Sequence, residues 1–143
     1  ELKDSVLTEP EKRLILISTL YKQNKLNAAR DSLTNYLKST DIENEQKAEA
    51  KLFLAQVFYQ QKKYKESLNA AVDCLHLEIK KENWMHAFAH YIAAWNCYHL
   101  KNYTDSKLFL LQIKEISEYD FRNSLENKIY TLERLLPKDT RNN

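Results

Sequence analysis

Three residues near the middle of the chain have the types and spacing of a metal site. In the stretch ENWMHAFAH, Glu82, His86 and His90 follow one another at intervals of four residues, so they share one face of a helix. Two histidines one turn apart can bind the same zinc ion, and a carboxylate can add a third ligand. The helical metalloprotease motif also needs a glutamate directly after the first histidine, where this chain has Ala87. Because histidines on an exposed helix face are usually solvated, we predict no metal at this position.

The remaining candidate nucleophiles lack the partners that would activate them. Cys74 and Cys97 are too few for a disulfide framework, and no feature of the sequence gives either thiol the electropositive, exposed surroundings that lower its pKa. We expect both to be small buried residues. Serine, histidine and aspartate are scattered without the spacing of a catalytic group. The sequence therefore predicts a protein that is not an enzyme and needs no cofactor.

The complete absence of glycine excludes several functional classes at once. A chain of 143 residues would ordinarily contain about ten glycines at the average usage of about 7%. Phosphate-binding loops, dinucleotide fingerprints, nucleophile elbows and EF-hand loops all need glycine at fixed positions. The composition that remains is rich in leucine, lysine, glutamate, glutamine and alanine, with prolines only at positions 10 and 137. Such a composition favours helices.

Charge and hydropathy limit the partners. The net charge of +2 is too small to predict a nucleic-acid surface, and the cluster of Lys62, Lys63 and Lys65 falls at a predicted turn. We therefore expect no nucleic-acid partner. No apolar run is long enough for a membrane helix, and no signal peptide is visible, so we expect a cytoplasmic protein without membrane insertion. The chain begins at Glu1 rather than at a methionine, which would suit a fragment of a longer protein.

Two stretches of the chain, 57–75 and 96–113, are versions of one another. Four pairs of matching residues stand 39 positions apart: Tyr59 and Tyr98, Lys62 and Lys101, Tyr64 and Tyr103, Ser67 and Ser106. A third version at 16–37 is displaced by 38 positions and places Tyr21 opposite Tyr59. Repeats of this length cannot bury their apolar faces alone, so the repetition predicts units that stack on one another.

Apolar periodicity predicts two helices in each unit. The first helices are expected at about 9–23, 43–61 and 83–100, and the second at about 26–39, 64–80 and 103–118. The breaks QNK, QKK and LKN between them are short, as in antiparallel helix pairs. A seventh, capping helix at about 121–136 has one apolar face and a charged outer face. Its apolar face carries Phe121, Leu125, Ile129, Leu132 and Leu136.

The positions of large and small residues resemble those of the tetratricopeptide repeat (TPR) family. In that family a unit has leucine at position 7, a small residue at 8, tyrosine at 17 and a small residue at 20. The second unit carries Leu54, Ala55, Tyr64 and Ser67 at these positions, and the third carries Ala93, Ala94, Tyr103 and Ser106. The resemblance implies an all-α solenoid of three antiparallel helix pairs, at about 10–47, 48–86 and 87–120, plus the capping helix, within a single domain over 1–143.

The chain departs from the family in three respects. The first unit has Ile17 where the family has a small residue, no unit has the proline at position 32, and the period is 38–39 instead of 34 residues. One specialised family function is also unsupported. The repeats that clamp the acidic carboxyl terminus of chaperones use cations at positions where this chain has Leu14, Ser18 and Phe88.

The resemblance also implies which residues bind. In the family, the first helix of each unit lines a concave groove for a partner peptide. Carried over to this chain, the expected groove residues are Tyr21, Gln56, Tyr59, Phe88, Tyr91, Trp95, Tyr98 and His99. The alternative is that the rings simply fill spaces between helices, since Phe88, Tyr91, Trp95 and Tyr98 also share one helical face.

These observations predict a non-catalytic scaffold that binds a peptide segment of another protein in an aromatic-lined groove. Two other functions are open at this point. The chain could be the ligand- or peptide-sensing regulatory domain of a larger signalling or transcription-regulating protein, since its long repeats also resemble bacterial peptide-pheromone receptors. It could equally be a structural block with a self-association face. The sequence does not identify the partner.

Overall fold

The computed structural model describes residues 6–80, 83–116 and 122–138. Within these ranges the chain forms seven α-helices and no strand, which confirms the all-α prediction. None of these helices is long and apolar enough to cross a lipid bilayer. The helices are α1 (Glu9–Lys22), α2 (Leu26–Tyr36), α3 (Asn44–Gln60), α4 (Tyr64–Leu75), α5 (Asn83–His99), α6 (Tyr103–Lys114) and α7 (Arg122–Leu135).

The helices begin where the repeat predicts. Helices α2, α4 and α6 start at residues 26, 64 and 103, which are 38 and 39 positions apart, and α3, α5 and α7 start at 44, 83 and 122. From α1 to α6 each helix packs against the next, α3 also contacts α1 and α5, and α7 packs against α5. Each helix therefore lies beside its neighbours in the chain.

The second helix of each pair ends earlier than the periodicity predicts. Helix α4 stops at Leu75 instead of near residue 80, because the N–H groups of His76 and Leu77 turn to carbonyls only three residues back. Helix α2 likewise ends at Tyr36, and α6 ends at Lys114, with part of its predicted extension outside the described residues. Ile79 lies beyond α4 and still packs into an apolar cluster, which explains its apparent membership of the helical stripe.

Each helix pair turns through one residue with a left-handed backbone. These residues are Asn24, Lys62 and Lys101, with φ of 61°, 61° and 65°. The N–H group of the next residue closes each turn on the carbonyl five positions back, at 2.8–2.9 Å. This is the helix-ending arrangement that glycine usually occupies. Since the chain contains no glycine, side chains that are strained in this conformation occupy all three turns.

A buried serine fastens the second helix to the first helix in two of the pairs. The Ser67 hydroxyl on α4 donates to the Ala55 carbonyl on α3 at 2.7 Å, and the Ser106 hydroxyl on α6 donates to the Ala94 carbonyl on α5 at 2.8 Å. All four residues are fully buried. A side chain larger than alanine would separate the helices and stretch these bonds. The small residues noted in the sequence thus set the spacing between helices.

One polar side chain also connects neighbouring pairs. Asn96 on α5 is completely buried, and its amide nitrogen donates to the Ser67 hydroxyl at 2.8 Å. Its amide oxygen has no hydrogen-bond partner among the described residues. The buried amide therefore depends on Ser67 for its pairing, whereas Ser106 serves only the bond to Ala94.

Helix α7 buries the apolar stripe that the sequence predicts. Leu125, Ile129, Leu132 and Leu136 pack in one cluster with Leu110 and Ile113 of α6. Phe121, the first member of the predicted stripe, lies outside the described residues. Helix α7 differs from α5 in one important respect, because Ala87 and Ala94 are matched 39 positions later by Glu126 and Glu133.

We expect Ser67→Ala to destabilise the protein more than Ser106→Ala. Each change removes one hydrogen bond, but the first also leaves the buried Asn96 amide without an acceptor. The expected loss in free energy of unfolding is about 2–3 kcal/mol for Ser67→Ala and about 1 kcal/mol for Ser106→Ala. Urea unfolding followed by circular dichroism measures both. Equal losses would show that the link between Asn96 and Ser67 is not made in solution.

Glycine at a left-handed turn should stabilise the chain. Lys62→Gly relieves the left-handed conformation and should raise the free energy of unfolding by about 0.5–1 kcal/mol. Lys65→Gly, an exposed change of the same residue type within α4, should instead lower it. The same urea unfolding measures both. A loss of stability from Lys62→Gly would contradict the turn described above.

Candidate functional site

Five aromatic and imidazole rings from three helices meet at one place on the surface. We call this the aromatic cluster: Tyr59 of α3, Tyr64 of α4, and Trp95, Tyr98 and His99 of α5. The His99 ring stacks on Tyr64, with ring centres 4.2 Å apart and planes 13° apart. The same imidazole lies 5.7 Å from Trp95 at 27° and 5.4 Å from Tyr98 at 72°. His99 is the centre of the cluster.

A hydrogen bond fixes the imidazole within the cluster. The Tyr59 hydroxyl and His99 Nε2 lie 2.9 Å apart. Burial raises the pKa of Tyr59 to about 12, with smaller effects from Tyr64 and Tyr91, so its hydroxyl keeps its proton. Burial also lowers the pKa of His99, which favours the neutral ring. At neutral pH the Tyr59 hydroxyl therefore donates to an unprotonated Nε2, and both groups are uncharged.

A second feature lies beside the cluster, between α1 and α3. It is a shallow depression of about 340 Å³, which we call the α1–α3 depression. Its lining includes Phe53 and Trp84, and Phe53 meets Tyr21 edge to face with ring centres 5.3 Å apart. The other lining residues all stand at positions that the family resemblance assigns to a groove: Ser18, Tyr21, Lys22, Glu49, Leu52 and Gln56.

The predicted site residues fall into three groups. Tyr59, Trp95, Tyr98 and His99 meet in the aromatic cluster, and Tyr91 touches its edge through Trp95, with ring centres 6.5 Å apart. Tyr21 and Gln56 line the α1–α3 depression. Phe88 meets Trp84 edge to face and packs against apolar clusters on both sides, so it acts as a packing residue between helices.

Three ring residues of these features were not predicted from the sequence. Tyr64 starts a second helix, but the turn at Lys62 folds it back over the end of α3, 5.6 Å from the Tyr59 ring. Tyr103 approaches Tyr98 in the same way, with ring centres 6.0 Å apart. Phe53 and Trp84 lie at positions that the resemblance does not assign to the groove. The matching tyrosines at 64 and 103 are the only signal that could have identified one of them.

The histidines of the opening motif do not assemble a metal site within the described residues. His86 Nε2 lies 3.1 Å from the Leu77 carbonyl oxygen, which accounts for one of its ring nitrogens. No group of three or more potential metal ligands is present in the ranges that the structure covers. Glu82, the proposed carboxylate, lies outside them.

The two cysteines are buried and poorly suited to nucleophilic chemistry. Burial raises the pKa of the Cys74 thiol to about 12. Burial, together with the nearby Asp105 carboxylate, raises the pKa of the Cys97 thiol to about 11. Both thiols therefore stay protonated at neutral pH, and the thiolate is the reactive form.

No family model matches the chain, and no curated protein matches it significantly. The interpretation of the site therefore depends on the geometry of its own residues.

We expect His90 to make the protein less stable in mild acid. Burial, with a smaller effect from His86, lowers the pKa of His90 to about 4, and its buried Nδ1 has no partner among the described residues. Between pH 6.5 and about 4 the unfolded chain thus binds a proton that the folded chain does not. The free energy of unfolding must fall as the pH falls through this window.

The variant His90→Leu should remove this dependence. Because the ring is only partly buried, we expect wild type to lose about 1–2 kcal/mol more than the variant between pH 7 and pH 4.5. Urea unfolding at several pH values measures the difference, in which the effects of carboxylates shared by both proteins cancel. Parallel pH profiles for the two proteins would disprove the shift.

Proposed function

We propose that this chain is a TPR-like solenoid that binds a segment of another protein without catalysing a reaction. In this proposal α1–α2, α3–α4 and α5–α6 are three stacked pairs, and α7 caps the array. The segment lies along a groove formed by the first helices of the pairs, α1, α3 and α5.

Several repeated features support the stacked-pair arrangement. The three left-handed turns recur at intervals of 38 and 39 residues, and the serine-to-carbonyl bonds of the second and third pairs are 39 residues apart. Ser67 and Ser106 stand where the TPR pattern has a small residue in the second helix. Ala55 and Ala94 stand where it has a small residue in the first helix. The close contact that the pattern implies is present at both sites.

One observation carries the functional proposal. The positions that the family uses for binding recur in three helices that are far apart in sequence, and here they gather on neighbouring surfaces. Those of α1 and the first part of α3 line the α1–α3 depression. Those at the end of α3 and on α5 form most of the aromatic cluster. Because α3 packs against both α1 and α5, these features border the same helix.

The chemistry of the groove favours a particular kind of segment. Rings of tyrosine and tryptophan provide a large contact area, and their polar atoms can bind a peptide backbone. The Tyr59 hydroxyl and the His99 imidazole are uncharged at neutral pH, so the cluster does not select an acidic or basic segment. Lys22 and Glu49 bring opposite charges to the depression. We therefore expect a segment with apolar anchors rather than a carboxyl-terminal acidic tail.

The proposal that the protein is not an enzyme agrees with the state of its reactive groups. Both thiols have raised pKa values, and both described histidines with shifted pKa values favour the neutral form. His99 accepts a hydrogen bond from a phenol that does not ionise near neutral pH. Such a pair can orient a ligand, but it does not activate a nucleophile.

The double variant Tyr98→Ala/His99→Ala should lose the partner. Pull-down from native lysate with quantitative mass spectrometry identifies proteins that wild type retains. Calorimetry on the recovered partner then measures affinity, and we expect the variant to bind about 5- to 30-fold more weakly, which corresponds to about 1–2 kcal/mol for hot-spot residues.

Tyr130→Ala is the matched control for this experiment. Tyr130 on α7 is 61% exposed and lies outside both the aromatic cluster and the α1–α3 depression. Its removal should leave the affinity unchanged, and circular dichroism verifies that all variants keep their helices. If the double variant and the control retain the partner equally well, binding does not use the proposed groove.

A further inference from the structure

A groove remains open between α6 and α7, away from the aromatic cluster. Leu110 and Leu136 are buried at its floor, while Leu111 at its side is 55% exposed. Lys107, Glu133 and Lys138 complete most of the rim, and the cavity measures about 380 Å³. We call it the α6–α7 groove. An apolar floor next to an exposed leucine favours a docking site rather than a solvated surface.

The repeat indicates what shape fits this groove. When the groove residues are moved back by 39 positions, they fall on residues of α4 and α5 that face the next helix of the chain. The corresponding residues are Leu68, Ala71, Val72, Ala94 and Cys97.

In that earlier position the groove is filled by a helix, α6. The Ser106 hydroxyl of α6 donates to the Ala94 carbonyl at 2.8 Å. Phe109 of α6 packs in the same apolar cluster as Leu68 and Ala71. The protein thus contains one copy of this groove with a helix bound in it and a second copy without one in the described part of the chain.

The open copy differs from the filled one at a decisive position. Where the filled groove has Ala94, the open groove has Glu133, whose carboxylate lies 3.1 Å from the Lys114 ammonium group. The larger side chain keeps an incoming helix farther away than α6 is from α5. We therefore expect reversible docking, not the permanent packing found inside the protein.

The charges around the groove specify the flanks of the helix. Glu133 is already paired with Lys114, whereas Lys107 and Lys138 take part in no ion pair among the described residues. The rim therefore presents an excess of positive charge. Acidic side chains beside the apolar stripe of an incoming helix would pair with these lysines.

From these observations we infer that the α6–α7 groove is a second docking site, which binds an amphipathic helix of a partner protein with acidic residues beside its apolar stripe. This site does not depend on the groove proposed above, because it lies on other helices and recognises a different shape.

A synthetic helix tests the inference directly. The probe is a fluorescein-labelled peptide with the sequence of residues 102–116 of this chain, carrying Lys107→Glu and Lys114→Glu to supply acidic flanks. Fluorescence anisotropy with the full chain should show saturable binding. The unchanged peptide, which keeps its lysines, should bind more weakly, and added salt should reduce the difference.

Two leucines of α6 provide a matched pair of variants. Leu111 and Leu108 are 55% and 51% exposed, but only Leu111 lines the groove. Leu111→Gln should weaken binding of the acidic peptide at least about 10-fold, and Leu108→Gln should change it less than about 2-fold. The variant Lys107→Glu/Lys138→Glu should reverse the preference and favour the unchanged peptide. Tyr98→Ala/His99→Ala should bind the acidic peptide as wild type does.

Three results would overturn the inference. The first is a lack of saturable binding up to about 1 mM peptide, the weak limit of specific association. The second is an equal effect of Leu108→Gln and Leu111→Gln. The third is a dimer of the chain, seen by sedimentation velocity, that Leu111→Gln dissociates, because the groove would then be occupied by a second copy of this chain.

Discussion

The close contact between the two helices of a pair is the constraint on which the rest of the structure depends. It requires alanine on the first helix and a serine that can reach the backbone from the second, as at Ala55 with Ser67 and Ala94 with Ser106. A buried hydroxyl must be paired, so the hydrogen bond fixes both the distance and the rotation of the helices. The rotation in turn determines which residues of α3 and α5 remain at the surface. Asn96 extends the same constraint to the next pair through Ser67.

The surface features are consequences of this packing. Once the small residues of α3 and α5 face their neighbours, the large rings at the ends of these helices are left on another face. The left-handed turn at Lys62 then returns the chain so that Tyr64 covers Tyr59 and His99. The same rule explains the end of the array. Glutamates replace alanines at positions 126 and 133, so a further helix cannot pack as closely on α7 as α6 packs on α5.

Much of the fold could be predicted because the repeat is visible in the sequence. The starts of α2, α4 and α6 follow from the breaks QNK, QKK and LKN, and the stripe of α7 follows from its period. The ends of the second helices could not be predicted, since Ile79 continues the helical period although it lies beyond α4. The groove positions came from the resemblance to a family. The part played by Tyr64 escaped prediction because it depends on how the turn returns the chain, which no spacing within one helix reveals.

The central claim is that a partner segment lies against the aromatic cluster. Photo-cross-linking tests it most directly, with p-benzoylphenylalanine in place of Tyr98 in one protein and in place of Tyr130 in another. After irradiation in native lysate and mass spectrometry, the account predicts adducts to a common segment of one partner from position 98 and none to that segment from position 130. Adducts to that partner from position 130 alone would contradict it.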